Sequence, residues 1–400
     1  MQRDRRFSIY WLGQTLSSFG DAFALVALPL LVLDATRSVT GMGVVTAASV
    51  AAQVVASLFS GKLVDRLDRR RTMIVCDLGR AVSYGFLPVM WWLGRPSLST
   101  IYVTVIVGGA LSNLFSVGYM TAVPALVSQD KLHLANAKLQ GSMALAYVLG
   151  SLGAGIIATT IGPVAAIAID AGTFLASATC LSLIRFEVRE SSATDRDANQ
   201  RFGAGMRFLL GHPLLRTMTL LLVVLGIFGN MGVGAGITDL MIFHVKQELA
   251  QTPHMVGLCV GVTALGALLG AVAAPTMARR LGSGTCFLSG NFVQAMGLLT
   301  IGLFPHVAAA ASGGLLWGAG MMLRGVPMHS LRQSLIPTEL LGRVTAISWT
   351  AIFGACAMGT VIITRVAARV GAGTTMVGIG VVVAIIGSVA WAGPIRRAPG

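Results

Sequence analysis

Long apolar runs separated by short knots of charge are the feature that most limits what this chain can fold into. Residues 22–61 carry only two charges, Asp34 and Arg37, whereas the next ten residues carry seven. Of the 400 residues, 55% are hydrophobic and 11% are charged, and the mean hydropathy is +0.79. A soluble domain carries about 25% charged residues, so this chain has too few charges to cover a globule in water. The composition therefore predicts an all-α integral membrane protein, in which helices satisfy their own backbone groups within lipid.

The apolar runs have the length of membrane spans, since a helix needs about 20 mostly apolar residues to cross the hydrocarbon core. The first run continues past the length of a signal peptide and is expected to be retained as a span. A polar stretch then divides the runs into two sets of six. The pattern predicts an N-terminal bundle at 1–184, a cytoplasmic linker with an interfacial amphipathic helix at 185–213, and a C-terminal bundle at 214–400. The twelve predicted spans are 10–33, 40–62, 74–94, 101–124, 138–160, 164–184, 217–241, 254–277, 283–304, 308–330, 344–366 and 373–393.

The positions of the basic residues predict the orientation of the spans. Cytoplasmic loops of membrane proteins carry an excess of lysine and arginine, and most of the 29 basic residues here fall on one side if the N-terminus is cytoplasmic. Both termini are then cytoplasmic in a multi-pass protein of the cell (plasma or inner) membrane. The net charge of +14 reflects this topology and contact with lipid, not nucleic-acid binding, because the basic residues form no single soluble face. The cytoplasmic clusters contain Arg3, Arg5, Arg6, Lys62, Arg66, Arg69, Arg70, Arg71, Arg80, Lys131, Lys138, the arginines of the linker region, Arg279, Arg280, Arg332, Arg343, Arg396 and Arg397.

An internal repeat relates the two sets of six spans. The stretch LVSQDKLHLANA begins at residue 126, and the similar stretch LIPTELLGRVTA begins at residue 335, which is 209 residues later. Each stretch follows the fourth span of its set. Two halves with the same orientation predict parallel six-helix repeats, an architecture in which transporters bind substrate near the membrane midplane between the halves.

The first charged knot, GKLVDRLDRRR at residues 61–71, carries a resemblance to a known family. It resembles the loop signature of the major facilitator superfamily, and DLGRA at 77–81 and IDAGTFLAS at 169–177 are similar to its branch of enterobactin exporters and macrolide-efflux proteins. The resemblance implies the major facilitator fold and a secondary transporter. It further implies that the carboxylate of Asp65 meets the start of helix 11 and that the arginines hold the cytoplasmic side closed. The alternative is that the arginines only enforce topology. The gate residues implied are Gly61, Asp65, Arg66, Arg69, Arg70 and Arg343.

Four polar residues inside the predicted spans are candidates for substrate or proton coupling. Asp21 lies in the middle of the first span, where an acidic group costs about 2.5–3.5 kcal/mol, so it is expected either to exchange a proton or to tie helices together. Asp170 in the sixth span is expected to tie helices or to take part in coupling. Arg324 in the tenth span is expected to face a cavity carboxylate or to reach toward the cytoplasmic surface. Asn113 is one of the few polar residues of the fourth span.

The function that follows is export of small, largely apolar organic compounds, such as a drug, siderophore or secondary metabolite, by alternating access. Protons are the expected coupling ion, although Ser151 and Ala154 depart from the Gly-Pro motif of drug antiporters. The alternatives are an importer or uniporter of the same superfamily, or a membrane adaptor that transports nothing. No phosphate-binding loop, HExxH or GxSxG motif occurs, so neither an enzyme nor a cofactor is expected. The five scattered cysteines predict neither a disulfide nor a metal site, and a monomer in the bilayer is expected.

Overall fold

The computed structural model describes residues 2–66, 68–94, 97–128, 131–184, 198–228 and 236–391, and every regular element in these ranges is helical. This confirms the predicted all-α class. A π-helical turn, His244–Glu248, extends α9. The α-helices of the described ranges are α1 Gln2–Thr36, α2 Val39–Arg66, α3 Arg69–Trp92, α4 Leu98–Leu126, α5 Leu132–Thr160, α6 Pro163–Leu183, α7 Ala198–Gly211, α8 Pro213–Ile227, α9 Gly236–Phe243, α10 Pro253–Leu281, α11 Ser283–Leu303, α12 Val307–Leu335, α13 Thr338–Val370 and α14 Ala372–Trp391.

Ten helices of the described ranges are long and apolar enough to cross a membrane, or eleven if a bent pair counts as one span. That pair is the end of α7 with α8, which meet at 97° where Pro213 follows His212. Two of the twelve predicted spans are not among the ten. The seventh is divided between α8 and α9, with residues 229–235 outside the described ranges. The tenth corresponds to α12, whose 29 residues include two buried arginines, Arg324 and Arg332.

The chain separates into two compact units. Unit 1 comprises residues 1–191 and 251–261, and unit 2 comprises residues 192–250 and 262–400. In unit 1, α6 packs against α1 and α3, while α4 packs against α2 and α3. In unit 2, α11 packs against α12 and α14, while α13 packs against α8. Each helix is thus held by side chains from sequence-distant partners, and this brings polar residues of different helices together.

Helix boundaries repeat at the spacing found in the sequence. The fourth helix of the first half runs from Leu98 to Leu126, and its counterpart α12 runs from Val307 to Leu335, so both ends are 209 residues apart. The same spacing relates Gly162 and Gly371, which precede α6 and α14 with φ of 108° and 91°. Backbone with such a φ strains other residues. The shared glycine therefore supports the predicted repeat at the level of backbone conformation.

Small residues allow close helix contacts at two places. A Cβ added to Gly150 of α5 would lie 3.0 Å from the main-chain oxygen of Phe19 in α1. A Cβ added to Gly359 of α13 would lie 2.2 Å from the main-chain oxygen of Ile227 in α8. Backbones approach this closely only where the side chain is absent or very small. Gly150 accordingly fixes α1, which carries Asp21, against α5.

Glu248 ties the π-helical turn to the beginning of α14 within unit 2. Its carboxylate accepts hydrogen bonds from the backbone N–H groups of Ala372 and, at 3.1 Å, of Gly373. His244, one turn earlier, also bonds to this carboxylate. Burial by itself would raise the pKa of Glu248, but the hydrogen bonds from His244, Ala372 and Gly373 leave that pKa below its ordinary value of 4.5. A carboxylate at a helix N-terminus also meets the positive end of the helix dipole.

Replacing Glu248 with glutamine is expected to lower the free energy of unfolding by about 1 kcal/mol at neutral pH, the usual value of such a cap. A carboxyl whose pKa is lower in the folded protein stabilises the fold above its unfolded pKa and loses that contribution as the pH falls. The difference in melting temperature between wild type and Glu248→Gln should therefore be present at pH 7 and shrink below about pH 4.5. Thermal unfolding of both proteins in detergent across this pH range is the measurement. An unchanged difference at low pH would contradict the role of the ionised carboxylate.

Candidate functional site

Four charged residues meet in unit 1 and are named here the Arg80 cluster. Asp21 comes from α1, Asp77 and Arg80 come from α3, and Asp170 comes from α6. Arg80 is 4% exposed, and Asp77 and Asp170 are fully buried. Charged groups at the depth of a membrane span are costly and are usually functional. The cluster is therefore the candidate functional site.

Arg80 contacts two carboxylates and two aromatic rings. Its Nη2 donates a hydrogen bond to Oδ1 of Asp77, and its Nη1 lies 4.0 Å from Oδ1 of Asp21. The guanidinium also lies over the rings of Phe115 and Phe174, with 4.5 Å and 4.2 Å to the ring centroids. A guanidinium stacked on two aromatic faces keeps both its charge and its position. Arg80 thus provides a fixed positive charge to which the carboxylates respond.

Asp170 is a fully buried carboxyl whose two oxygens accept no hydrogen bond from the described residues. The Thr173 hydroxyl donates instead to the main-chain oxygen of Asp170 at 2.8 Å. Gly20 makes room for this carboxyl, because a Cβ at Gly20 would lie 2.6 Å from Oδ1 of Asp170. An ionised carboxylate buried without partners is very unfavourable. Asp170 therefore suits the protonated, neutral form.

Asp21 is the member of the cluster that can be reached from outside. Its side chain is 39% exposed, whereas that of Arg80 is 4% exposed. An ionised carboxylate facing hydrocarbon costs several kcal/mol, so this exposed face of α1 is expected to line a water-filled space. The hydrogen bond between Asp77 and Arg80 neutralises one carboxylate. Asp21 is then the carboxyl of the cluster that solvent can reach, and its part in proton exchange stays a prediction.

The other two predicted coupling residues lie outside the Arg80 cluster. Asn113 is half-buried on α4, two residues before Phe115, and its Oδ1 has no hydrogen-bond partner within the described ranges. Arg324 is 3% exposed on α12 of unit 2, where its Nη1 donates to Oδ1 of Asn291 on α11 at 3.5 Å. An amide thus contacts Arg324, and pairing with a carboxylate remains a prediction. The structure brings Asp21 and Asp170 together, whereas Asn113 and Arg324 do not join them.

The predicted gate residues are described only in part. Residues 61, 65 and 66 lie in the last turns of α2, and residue 69 begins α3. The surroundings of Gly61 and the side chains of Asp65, Arg66 and Arg69 are outside the described part of the structure. Arg70 is described, and its Nε donates to the main-chain oxygen of Leu181 at 2.9 Å while its Nη2 donates to that of Ser182. Arg70 therefore caps the end of α6. On α13, the Cβ of Arg343 would lie 3.2 Å from a Cβ added to Gly205 of α7.

Two members of the cluster were not predicted as site residues. Arg80 is predicted to be one of the cytoplasmic charges, but its burial between Phe115 and Phe174 shows that it is not a loop charge. Asp77 was noted only as part of a motif. A signal was available, because residues three apart on a helix are neighbours, and an aspartate and an arginine at this spacing inside an apolar span form a pair. What the sequence does not contain is which other helices face that pair.

Known proteins with a similar sequence and known structures with a similar fold lead to the same assignment. The sequence profile described as Major Facilitator Superfamily matches residues 10–360. The chain is 24% identical over 387 residues to the multidrug efflux pump Tap of Mycolicibacterium fortuitum, covering 93% of this chain and 91% of that protein. It is 24% identical over 350 residues to the enterobactin exporter EntS of Salmonella typhimurium, covering 86% and 81% respectively. The crystal structure of the nucleoside transporter NupG matches with a TM-score of 0.77 at 10% identity, over 97% of this chain and 98% of that one.

Proposed function

The chain belongs to the major facilitator superfamily, and we propose that this membrane transporter exports small, largely apolar organic compounds in exchange for protons. The proposed cycle is alternating access in the cell membrane, with both termini cytoplasmic and a monomer as the working unit. The names of two relatives, a multidrug efflux pump and an enterobactin exporter, support export over import. Drugs, siderophores and other secondary metabolites are the substrate classes that follow.

The Arg80 cluster is the observation that carries the coupling part of the proposal. Three carboxylates surround one guanidinium, so the cluster would carry two negative charges if every acid were ionised. Burying that charge is unfavourable, and protons are the simplest way to neutralise it. With one proton held on Asp170, the second binds at Asp21. Proton release from Asp21 leaves its carboxylate facing Arg80 at 4.0 Å, which stabilises the deprotonated state.

We extend the proposal to the first charged loop as a cytoplasmic gate. Gly61, Asp65, Arg66 and Arg69, with Arg70 and Arg343, are its members. The contact of Arg70 with the end of α6 supports a part for this loop in positioning helices of unit 1. Exposed ion pairs are individually worth about 0–1 kcal/mol, so a gate made of several such pairs can open and close readily.

Proton movement in inverted membrane vesicles tests the proposed function. Respiration acidifies the lumen of such vesicles, and an exporter that exchanges protons for substrate then makes the lumen less acidic when substrate is added outside. Macrolides, cationic dyes and catecholate siderophores form the panel, with vesicles lacking the protein as the control. We expect at least one class of compound to drive rapid proton efflux that depends on the protein. Protein-dependent substrate uptake that persists after a protonophore has removed the gradient would instead indicate a uniporter.

A further inference from the structure

Unit 2 contains a row of three stacked rings on an exposed face. His329 of α12 stacks on Trp349 of α13 with 5.5 Å between ring centroids and 25° between planes. Trp349 stacks in turn on Phe353 with 5.1 Å and 22°. His329 is exposed and Phe353 is 41% exposed, so the row is open at both ends. A further planar ring can extend such a row, because offset stacking of two rings is favourable by more than the burial of their apolar area accounts for.

The face that carries His329 is a polar one. Residues Ser330, Gln333 and Ser334, which follow His329 along the last turns of α12, are all exposed. Polar groups facing hydrocarbon would lack hydrogen-bond partners and would be costly. The end of α12 therefore faces water, and dissolved molecules can reach the stacked rings.

A buried positive charge lies one helical turn from the ring row. Arg332 follows His329 by three residues, which places the two side chains on one side of α12, and they interact electrostatically. Arg332 is only 4% exposed, yet its two terminal guanidinium nitrogens make no hydrogen bond to any described residue. A buried guanidinium without partners is costly. An anionic group of a ligand would supply the missing partner.

We propose that His329, Trp349, Phe353 and Arg332 form a binding site for an aromatic anion, such as an aromatic carboxylate or a phenolate. The ring of the ligand extends the row, and its acidic group pairs with Arg332 once the side chains that cover the guanidinium move aside. This inference rests on the proposed export function, because it names the substrate class that unit 2 selects. It also separates two tasks, since proton exchange belongs to Asp21 in unit 1.

Equilibrium binding to the purified full-length chain in phosphatidylcholine nanodiscs tests the site. The probe is 2-naphthoate, measured by calorimetry against empty nanodiscs. Two analogues separate its features: 2-naphthalenemethanol keeps the rings without the charge, and cyclohexanecarboxylate keeps the charge without aromatic rings. We expect saturable binding of 2-naphthoate and at least about tenfold weaker binding of 2-naphthalenemethanol, because a hydrogen bond to a charged group is worth that much or more. Cyclohexanecarboxylate should also bind more weakly, because it loses ring stacking and apolar contact area. Absence of saturable naphthoate binding, or equal binding of cyclohexanecarboxylate, would overturn the proposal.

Variants of the site assign the two features to residues. Arg332→Gln should weaken 2-naphthoate at least about tenfold and leave 2-naphthalenemethanol unchanged. Trp349→Leu should weaken both, and Trp349→Phe should retain both because it keeps a ring in the row. The matched controls are Arg369→Gln and Phe304→Leu. Arg369 is an exposed arginine of α13, and the ring of Phe304 stacks on that of His306, with 6.2 Å between centroids, outside this site. Wild-type naphthoate affinity in Arg332→Gln would contradict the role of that arginine.

The outcome can be distinguished from failure of the proposed function. Binding at equilibrium needs no proton gradient, so naphthoate binding is measured independently of the proposed proton exchange. If other compounds drive proton release while naphthoate does not bind, only the aromatic-anion site is wrong. If naphthoate binds with the expected dependence on Arg332 while no compound drives proton movement, the site stands and the coupling proposal is wrong.

Discussion

Replacing Asp21 with asparagine is expected to abolish substrate-driven proton release, reducing it to the level of vesicles without the protein. Asparagine has nearly the shape of aspartic acid but cannot take up or release a proton. Asp21 is also the one member of the Arg80 cluster with substantial exposure, at 39% of its side chain. The measurement is the change in lumenal pH of inverted vesicles after addition of a transported compound. Asp34→Asn is the matched control, since Asp34 is an exposed aspartate near the end of the same helix.

The variant Asp170→Asn tests which of the two neighbouring carboxyls, Asp21 or Asp170, exchanges the proton. If Asp170 is held neutral, an amide is a close replacement, and both transport and proton release should stay near wild type. Loss of proton release in Asp170→Asn, together with its retention in Asp21→Asn, would move proton exchange from Asp21 to Asp170. Retention in both variants would show that neither carboxyl exchanges the proton.

The sequence predicts the helices well because hydropathy depends on each segment alone. The predicted spans are nevertheless shorter than the helices at several ends. For example, α1 covers Gln2–Thr36, whereas the predicted span is 10–33. Hydropathy detects only the part of a helix that lies in hydrocarbon, whereas backbone hydrogen bonds continue into polar turns. The 209-residue repeat was also predictable, because similarity between two stretches is visible in the sequence itself.

The partners of Asp21 could not be predicted in the same way. The cost of a carboxylate within a span identifies Asp21 as a special residue, but the position of Arg80 opposite it depends on how α1, α3 and α6 rotate and pack. The same limit applies to His329 and Trp349, which lie on adjacent helices in the chain and meet only because α12 and α13 pack in one register. Side-chain chemistry is thus visible in the sequence, while its combination into sites depends on helix packing.

Replacing Arg80 with glutamine is expected to cause the largest loss of stability among single changes in the cluster. Asp77 is fully buried and has Arg80 as its counter-ion. Removing one partner of a buried ion pair leaves an uncompensated charge and costs about 3–5 kcal/mol. Arg80→Lys should be less damaging, because it keeps the charge but loses the planar contact with Phe115 and Phe174. Thermal unfolding of the detergent-purified variants gives the comparison.

The double variant Asp77→Asn with Arg80→Gln distinguishes loss of the ion pair from loss of packing. If the uncompensated carboxylate of Asp77 causes the damage, removing its charge should restore most of the stability that Arg80→Gln loses. If the stacked rings of Phe115 and Phe174 depend mainly on the guanidinium, the double variant should unfold as readily as the single one. The first result is expected, because a cation–π contact is worth about 0.5–2 kcal/mol, less than the cost of a buried unpaired carboxylate. Restored stability would also leave a folded protein without the fixed charge of Arg80, and we expect that protein to bind its proton at Asp21 more tightly and to release it too slowly for transport.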